Sequence, residues 1–339
     1  LGRRVVGTGT FDEEGIRVQR LKTAFELPHA VWLRGLETGI QHIVPDLVIV
    51  HMIANLSAYR LARLKNRQPT FKLVYDDHMT GANSLSPLRA LYPAVRWLAC
   101  PAIRRAADSF VAVLPETKEF MGRQYGIPPE RIRVIPLGAD DTLFRHDPTA
   151  RAEVRRELSL SDSDTLFIYT GKLTPFKRLP LLIEAVGLVA GRGPIIKMLL
   201  LGEGDSAYDA ELQRLVAERH LTNFFTWHKA VPNRDLYRYY SAADVAVWPY
   251  GASISMREAM ACDLPIILGE ESLVGELVQY DNGLVFRDND AASLAQQMEK
   301  LLEPGLRRQM GARSRRLIEE RFRWKSIAEQ FIQAGIGQA

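Results

Sequence analysis

The chain has 339 residues, of which 25% are charged and 47% hydrophobic. That length suits two domains, each burying its own core, and the composition excludes a disordered or collagen-like chain. The 44 basic residues exceed the 40 acidic ones by four, and the excess sits in the first half: residues 1–148 carry 20 Lys/Arg against 15 Asp/Glu, the remainder 24 against 25. Cys100 and Cys262 stand too far apart for a CxxC metal site and are too few for a disulfide framework, which fits a reducing compartment. No apolar run reaches the roughly 18 residues a membrane span needs.

The chain opens at Leu1 with no signal-peptide pattern. Leu1-Gly2 reads as the end of a helix, Arg3–Val6 as a strand and Gly7-Thr8-Gly9-Thr10 as a turn, since a lone GxG before an acidic run is weak as a phosphate loop. Gly15–Leu21 alternates like an exposed strand. Pro45–Val50 is a buried-type strand, Ala54–Lys65 a helix, and Phe71–Tyr75 a strand ending in Asp76-Asp77-His78. Short strands at Ser109–Leu114 and Ile132–Pro136 flank the helix Glu116–Gln124. The second half repeats the rhythm. Its strands are Thr165–Tyr169, Ile195–Leu201, Phe224–Trp227, Val245–Trp248 and Pro265–Leu268. Its helices are Leu179–Ala190, Ala210–Arg219, Arg234–Ala242 and Ser255–Cys262, followed by a helical C-terminal third. Such alternation predicts an α/β fold with parallel sheets and right-handed crossovers. The junction is expected near Leu143–Ala150, and ligands of such sheets lie at the C-terminal ends of the strands.

Four places could carry chemistry. Tyr169–Leu173, with Lys177 and Arg178 beyond, is a strand ending in a glycine and then cations, which suits a diphosphate or makes an ordinary solvated loop. Trp248–Ala261 runs from a buried strand through a small-residue loop into a helix whose free N–H groups and dipole favour an anion. Glu258, read as lying in that helix's first turn, could take two ribose hydroxyls or merely complement the dipole. His78, after Asp76-Asp77, could donate to a substrate hydroxyl. A metal there lacks further ligands in the sequence, and His51 reads as a packing histidine. The stretch between Asp77 and Asp108 holds no acid but has Arg89, Arg96, Trp97, Arg104 and Arg105. It suits a core-facing helix with a basic outer face, or an anionic membrane surface. No GxSxG, GxxxxGK[ST] or HExxH motif occurs.

Taken together, these residues resemble the retaining glycosyltransferases of family 4, whose GT-B architecture is two facing Rossmann-like domains. The likeness runs over essentially the whole chain. It is carried by Ala107–Val113 and Tyr125–Pro136, by Gly171-Lys172-Leu173 with Lys177, and by Ala242–Val245 through Glu258–Pro265. The resemblance implies an acceptor-side domain over 1–145, a nucleotide-sugar domain over 146–322, and a C-terminal helix over 323–339 crossing back to the first. It implies that Gly171, Lys172 and Lys177, with the loop Gly251, Ala252, Ser253 and Ile254, hold the donor diphosphate. Glu258 then takes the ribose, and His78 approaches the donor sugar, so that His78 and Lys177 are the catalytic candidates. Transfer with retention follows, helped by the leaving phosphate, with no metal and no cofactor beyond the nucleotide-sugar substrate. The implied partners are that donor and a saccharide or lipid-linked acceptor, not nucleic acid. The implied location is cytoplasmic, peripheral on an anionic inner membrane face.

Two departures stand out. The family pattern has a second Glu eight residues before the ribose one, where this chain has Tyr250. The first strand, its glycine-rich loop and the following helix also have no counterpart in the sequence. Those departures keep open a non-catalytic nucleotide-sugar-binding module, and the architecture itself admits an epimerase or a phosphorylase. A nicotinamide dehydrogenase lacks its glycine fingerprint.

Overall fold

In the computed structural model the described residues are 7–13, 15–27, 30–80, 92–191, 195–271 and 274–337. Two antiparallel hairpins come first: β1 (Gly9–Glu13) with β2 (Ile16–Arg20), and β3 (Thr23–Leu27) with β4 (Ala30–Leu33). Gly9 and Thr10 therefore belong to a strand and not to a turn, while Arg3–Val6 lies outside the described residues. In the second hairpin Phe25 stacks on Trp32 at 5.9 Å, and the Arg60 guanidinium lies 4.2 Å over the Trp32 ring.

The chain divides into two units, 1–136 with 328–339, and 137–327. The N-terminal unit holds a parallel sheet in the order β5 (Leu47–His51), β6 (Lys72–Asp77), β7 (Ser109–Ala112), β8 (Ile132–Val134). Strand β6 runs two residues further than expected, through both aspartates, because Val74–Asp77 pair in register with Ser109–Ala112. Tyr75, Phe110, Phe120 and Tyr125 fill the core beneath it. Asn55 caps the helix Leu56–Arg67 through the Ala58 N–H.

The C-terminal unit holds six parallel strands in the order β11-β10-β9-β12-β13-β14. They are β9 (Thr165–Thr170), β10 (Ile196–Leu201), β11 (Phe225–His228), β12 (Val245–Trp248), β13 (Ile266–Gly269) and β14 (Gly283–Phe286). Every residue of β9, β12 and β13 is buried, as strands covered on both faces must be. Strand β14 interrupts the expected all-helical C-terminal third. Sequence order reverses between β9 and β12, which makes their C-terminal ends the switch point where such sheets bind ligands. Residues 137–145, placed with the first domain by sequence, pack with this unit: Arg315 donates to the carbonyls of Asp141 and Phe144, and Phe144 lies against Tyr240.

The opposite rim of the same sheet is pinned by charge. Asp244, just before β12, accepts from Arg151 at 2.8 Å, from Arg155 at 3.2 Å and from the Leu166 N–H at 2.8 Å. Arg155 also donates to the carbonyls of Ala242, Asp164 and Ser161. Both arginines come from the helix Pro148–Glu157, capped by Asp147. No helix among the described residues is long and apolar enough to cross a membrane.

Close approach fixes one glycine. A Cβ on Gly202 would lie 1.9 Å from the Gly171 carbonyl oxygen, in backbone against which nothing flexible can yield. Gly202→Ala is expected to destabilise by about 3 kcal/mol, lowering the unfolding midpoint by roughly 6 °C or more in thermal denaturation.

Candidate active site

The site of the C-terminal unit forms where β9 and β12 end side by side. The Trp248 indole N–H donates to the Thr170 carbonyl at 2.9 Å, and the Ser255 hydroxyl reaches the same oxygen at 3.4 Å. The two strand ends are thereby tied at the level of Gly171. From there the chain bends through Leu173, bridged to Gly204, into the 3-10 turn Pro175–Lys177.

Lys177 is the central cation. Its ammonium donates to the Ala252 carbonyl at 3.3 Å and stands 5.7 Å from the Phe176 ring centroid. Gly251, at φ +86°, leaves room for it: a Cβ there would come within 3.1 Å of Lys177 Nζ and of the Phe176 ring. Burial pulls the Lys177 pKa down. Among the described residues no carboxylate pairs with it, so a partly dehydrated charge waits for an anion. Lys172 lies exposed beyond the end of β9.

The loop itself leads into the helix Ile254–Ala261, with Ser253 at its N-cap accepting from the Ser255 N–H. The N–H groups of Gly251, Ala252 and Ser253 donate to nothing among the described residues, leaving an anion-binding set at a helix N-terminus. Glu258 sits beyond the first turn of this helix, one position deeper than expected, so a dipole-complementing role fits it poorly. It is only 4% exposed. Asn233 donates to its Oε1 at 2.8 Å, while Oε2 is buried with no hydrogen-bond partner among the described residues. Burial pushes the carboxyl pKa up. An orphaned buried carboxylate oxygen is costly unless a ligand donates to it.

Asn233 was invisible to spacing. It comes from the turn after β11, 25 residues before Glu258, and only the fold joins them. Tyr250, at the position of the family's second Glu, is packed tightly. The Arg178 guanidinium lies 3.9 Å over its ring, Phe176 meets it edge-on at 5.0 Å, and Asp288 holds Arg178 at 2.6 Å through both oxygens.

In the N-terminal unit the register of β5 on β6 sets His51 opposite Asp76. His51 Nδ1 stands 2.7 Å from Asp76 Oδ1, and His78 Nε2 stands 3.1 Å from Oδ2. His51 is thus no packing residue: its side chain is 72% exposed, and the hydrogen bond to Asp76 raises its pKa. Burial raises the Asp76 carboxyl, but hydrogen bonds from both histidines outweigh it and leave the pKa lowered. Asp77 points elsewhere, accepting from the N–H groups of Ile53 and Met79, and burial raises its pKa.

The basic stretch is mostly employed within the fold. Arg89 lies outside the described residues. Arg96 donates to the Arg123 carbonyl, and Arg104 to those of Tyr125 and Gly126, so both cap the end of the helix Pro115–Tyr125 and do not face outward as a membrane set. Trp97 and Leu98 are 75% and 78% exposed, and Arg105 is exposed.

Comparison with known proteins decides the family. The family model "Glycosyl transferases group 1" matches residues 150–317, and "Glycosyltransferase Family 4" matches residues 7–143. This chain belongs to the family 4 glycosyltransferases. A D-inositol 3-phosphate glycosyltransferase of Xylanimonas cellulosilytica is 26% identical over 89% of this chain and 69% of its own length. That of Nocardia farcinica is 29% identical over 85% and 66%. Coverage of the first such relatives falls as low as 48%, so the chain spans about half to two thirds of their length. The fold is GT-B, with two Rossmann-like units. Anabaena HepE, solved with UDP, superposes with a TM-score of 0.73 at 19% identity, covering 89% of this chain and 81% of that one. Sucrose-phosphate synthase of Thermosynechococcus elongatus gives 0.72 at 23%, covering 96% and 84%.

Proposed function

We propose that this chain carries the donor machinery of a retaining glycosyltransferase, which moves a sugar from a nucleoside-diphosphate donor to a saccharide or lipid-linked acceptor. The observation that carries the reading is the orphaned Oε2 of Glu258, buried beside Asn233 on the helix whose entry loop meets Lys177. A ribose hydroxyl completes the carboxylate, and the diphosphate completes Lys177 and the free amides of Gly251–Ser253. Departure of the nucleoside diphosphate is then stabilised electrostatically. The donor is a substrate, and transfer uses no resident cofactor or metal. His78 serves the sugar end of the donor, as the resemblance implies, and the leaving phosphate takes the acceptor proton.

The names of relatives support the acceptor class. One 26% identical over 208 residues is a GDP-mannose-dependent mannosyltransferase acting on a phosphatidylinositol monomannoside, and HepE has been solved with UDP and glucose. An envelope polyol or lipid-linked saccharide at the inner membrane face is consistent with both. Docking on that face uses Trp97, Leu98 and Arg105. Trp97→Ala with Arg105→Glu is expected to abolish co-sedimentation with anionic vesicles at low salt; unchanged sedimentation refutes this surface.

The test of the function is a thermal-shift panel of UDP, GDP, ADP, dTDP and NAD on wild type, Glu258→Ala and Lys177→Ala. Ligand at about 100 times its Kd stabilises by roughly 2.7 kcal/mol. One nucleoside diphosphate should shift the wild type and neither variant. A shift with NAD alone overturns the reading, and an epimerase would convert donor without any acceptor.

Tyr250 sets which sugar is taken. With its ring under Arg178 and Phe176, it offers a flat apolar face where a Glu would accept hydroxyl hydrogen bonds. Tyr250→Glu is expected to change the kcat/KM ratio between two donors of the same base by about tenfold or more, with nucleoside-diphosphate affinity nearly unchanged. Equal loss for every donor would assign Tyr250 to packing alone.

A further inference from the structure

We propose that His51, Asp76 and His78 form a binding site for a borderline-soft divalent cation, Zn2+ foremost, whose occupancy withdraws His78 from the donor sugar. The donor atoms of the three side chains all lie within 4.8 Å of one another. Strand pairing builds the cluster: His51 ends β5 opposite Asp76 on β6, and His78 follows two residues later. The imidazoles approach one carboxylate from two sides, with ring centroids 6.1 Å apart and edge-to-face.

His51 Nδ1 straddles the carboxylate, 2.7 Å from Asp76 Oδ1 and 2.8 Å from Oδ2, while His78 Nε2 addresses Oδ2 at 3.1 Å. Two imidazoles thus share one buried carboxylate, and no other side chain among the described residues joins them there. A cation drawn to Oδ1 and both ring nitrogens would satisfy all three. Asp77 takes no part, since both of its oxygens are occupied by backbone N–H groups.

The donor set selects the ion. Two imidazole nitrogens with one carboxylate suit Zn2+, Co2+, Ni2+ or Cu2+, whereas Mg2+ and Ca2+ favour all-oxygen shells. Tetrahedral Zn2+ with bonds of about 2.0–2.2 Å holds its ligand atoms roughly 3.3–3.5 Å apart. The separations present, from 2.7 Å to at most 4.8 Å, bracket that spacing, so small ring rotations suffice. The Asp76 side chain is 1% exposed, but the two histidines are 72% and 43% exposed. An ion can enter from solvent and keep a water in its fourth position.

Binding does not depend on the proposed transferase reading; the inhibition that follows from it does. Tag-free protein, stripped with chelator, would be titrated with Co2+ by visible absorption and with Zn2+ by calorimetry. One equivalent of Zn2+ should bind with micromolar or tighter affinity, Mg2+ should not bind, and His51→Ala should weaken Zn2+ at least tenfold. His51 is exposed, so that variant should keep the wild-type melting curve. Absence of stoichiometric Zn2+ binding, or equal affinity in His51→Ala, overturns the site. In transfer assays Zn2+ should inhibit in competition with the donor, reversibly by EDTA, and His51→Ala should need at least tenfold more Zn2+ to lose the same fraction of its own metal-free activity. Stoichiometric binding without inhibition refutes the link to His78. Intact binding in a protein that transfers no sugar refutes the transferase reading instead.

Discussion

With the proposed function, Lys177→Ala is expected to lower kcat/KM for sugar transfer by about 10²–10³-fold, the cost of removing one preorganised charge from a developing oxyanion, or about 3 kcal/mol. Three features of its position give so large an effect. The ammonium is half-buried, its pKa is held down by that burial, and among the described residues a single carbonyl at 3.3 Å is its hydrogen-bond partner. Its charge is therefore little screened and not neutralised in advance. Lys172→Ala, which removes an exposed cation, should cost about tenfold or less. Folding is not at stake in the alanine variant, which loses one long hydrogen bond and a desolvated charge. Steady-state kinetics with the nucleotide-sugar identified by thermal shift would decide. Equal losses for Lys172 and Lys177 would remove Lys177 from the central role.

Glu258→Gln separates stability from binding. It is expected to weaken nucleoside-diphosphate affinity by at least tenfold, since a charge-assisted hydrogen bond contributes about 1.5–3 kcal/mol. The same change should raise the melting midpoint of the unliganded protein at neutral pH. Burial lifts the Glu258 pKa above 4.5, so the folded state holds the proton more tightly than the unfolded chain. The penalty for ionisation is then present at pH 7 and disappears as the pH falls through 4.5. A difference of 1 kcal/mol corresponds to roughly 2–4 °C in a chain of this size. Melts of both proteins at pH 7 and near pH 4.5 should show the gap closing on acidification. A variant less stable at pH 7, or one binding nucleotide as wild type does, would assign Glu258 to the fold.

Parallel sheets were legible wherever strands are covered on both faces. Leu166–Tyr169 and Val245–Trp248 are unbroken hydrophobic runs, and Gly171 and the Gly251 loop follow their strands. The hairpin β3–β4 and the strand Gly283–Phe286 were not. The first is short, exposed and bulged, and the second is four residues between helical stretches. Site residues separated the same way. Lys177 and Glu258 stand in local patterns, whereas Asn233 and His51 acquire their roles through contacts made by a distant turn and a neighbouring strand. Sequence also could not tell an arginine facing solvent from Arg104, whose guanidinium closes a helix end two elements away.

The two rims of the C-terminal sheet answer to different demands. Asp244, gripped by Arg151, Arg155 and the Leu166 amide, anchors the strand starts, and none of those groups reaches the glycines and cations where the strands finish. Substitutions at the finishing rim can accumulate without loosening the anchoring one. Tyr250, packed between Arg178 and Phe176 at the finishing rim, is a position where a replacement leaves the Asp244 anchor untouched.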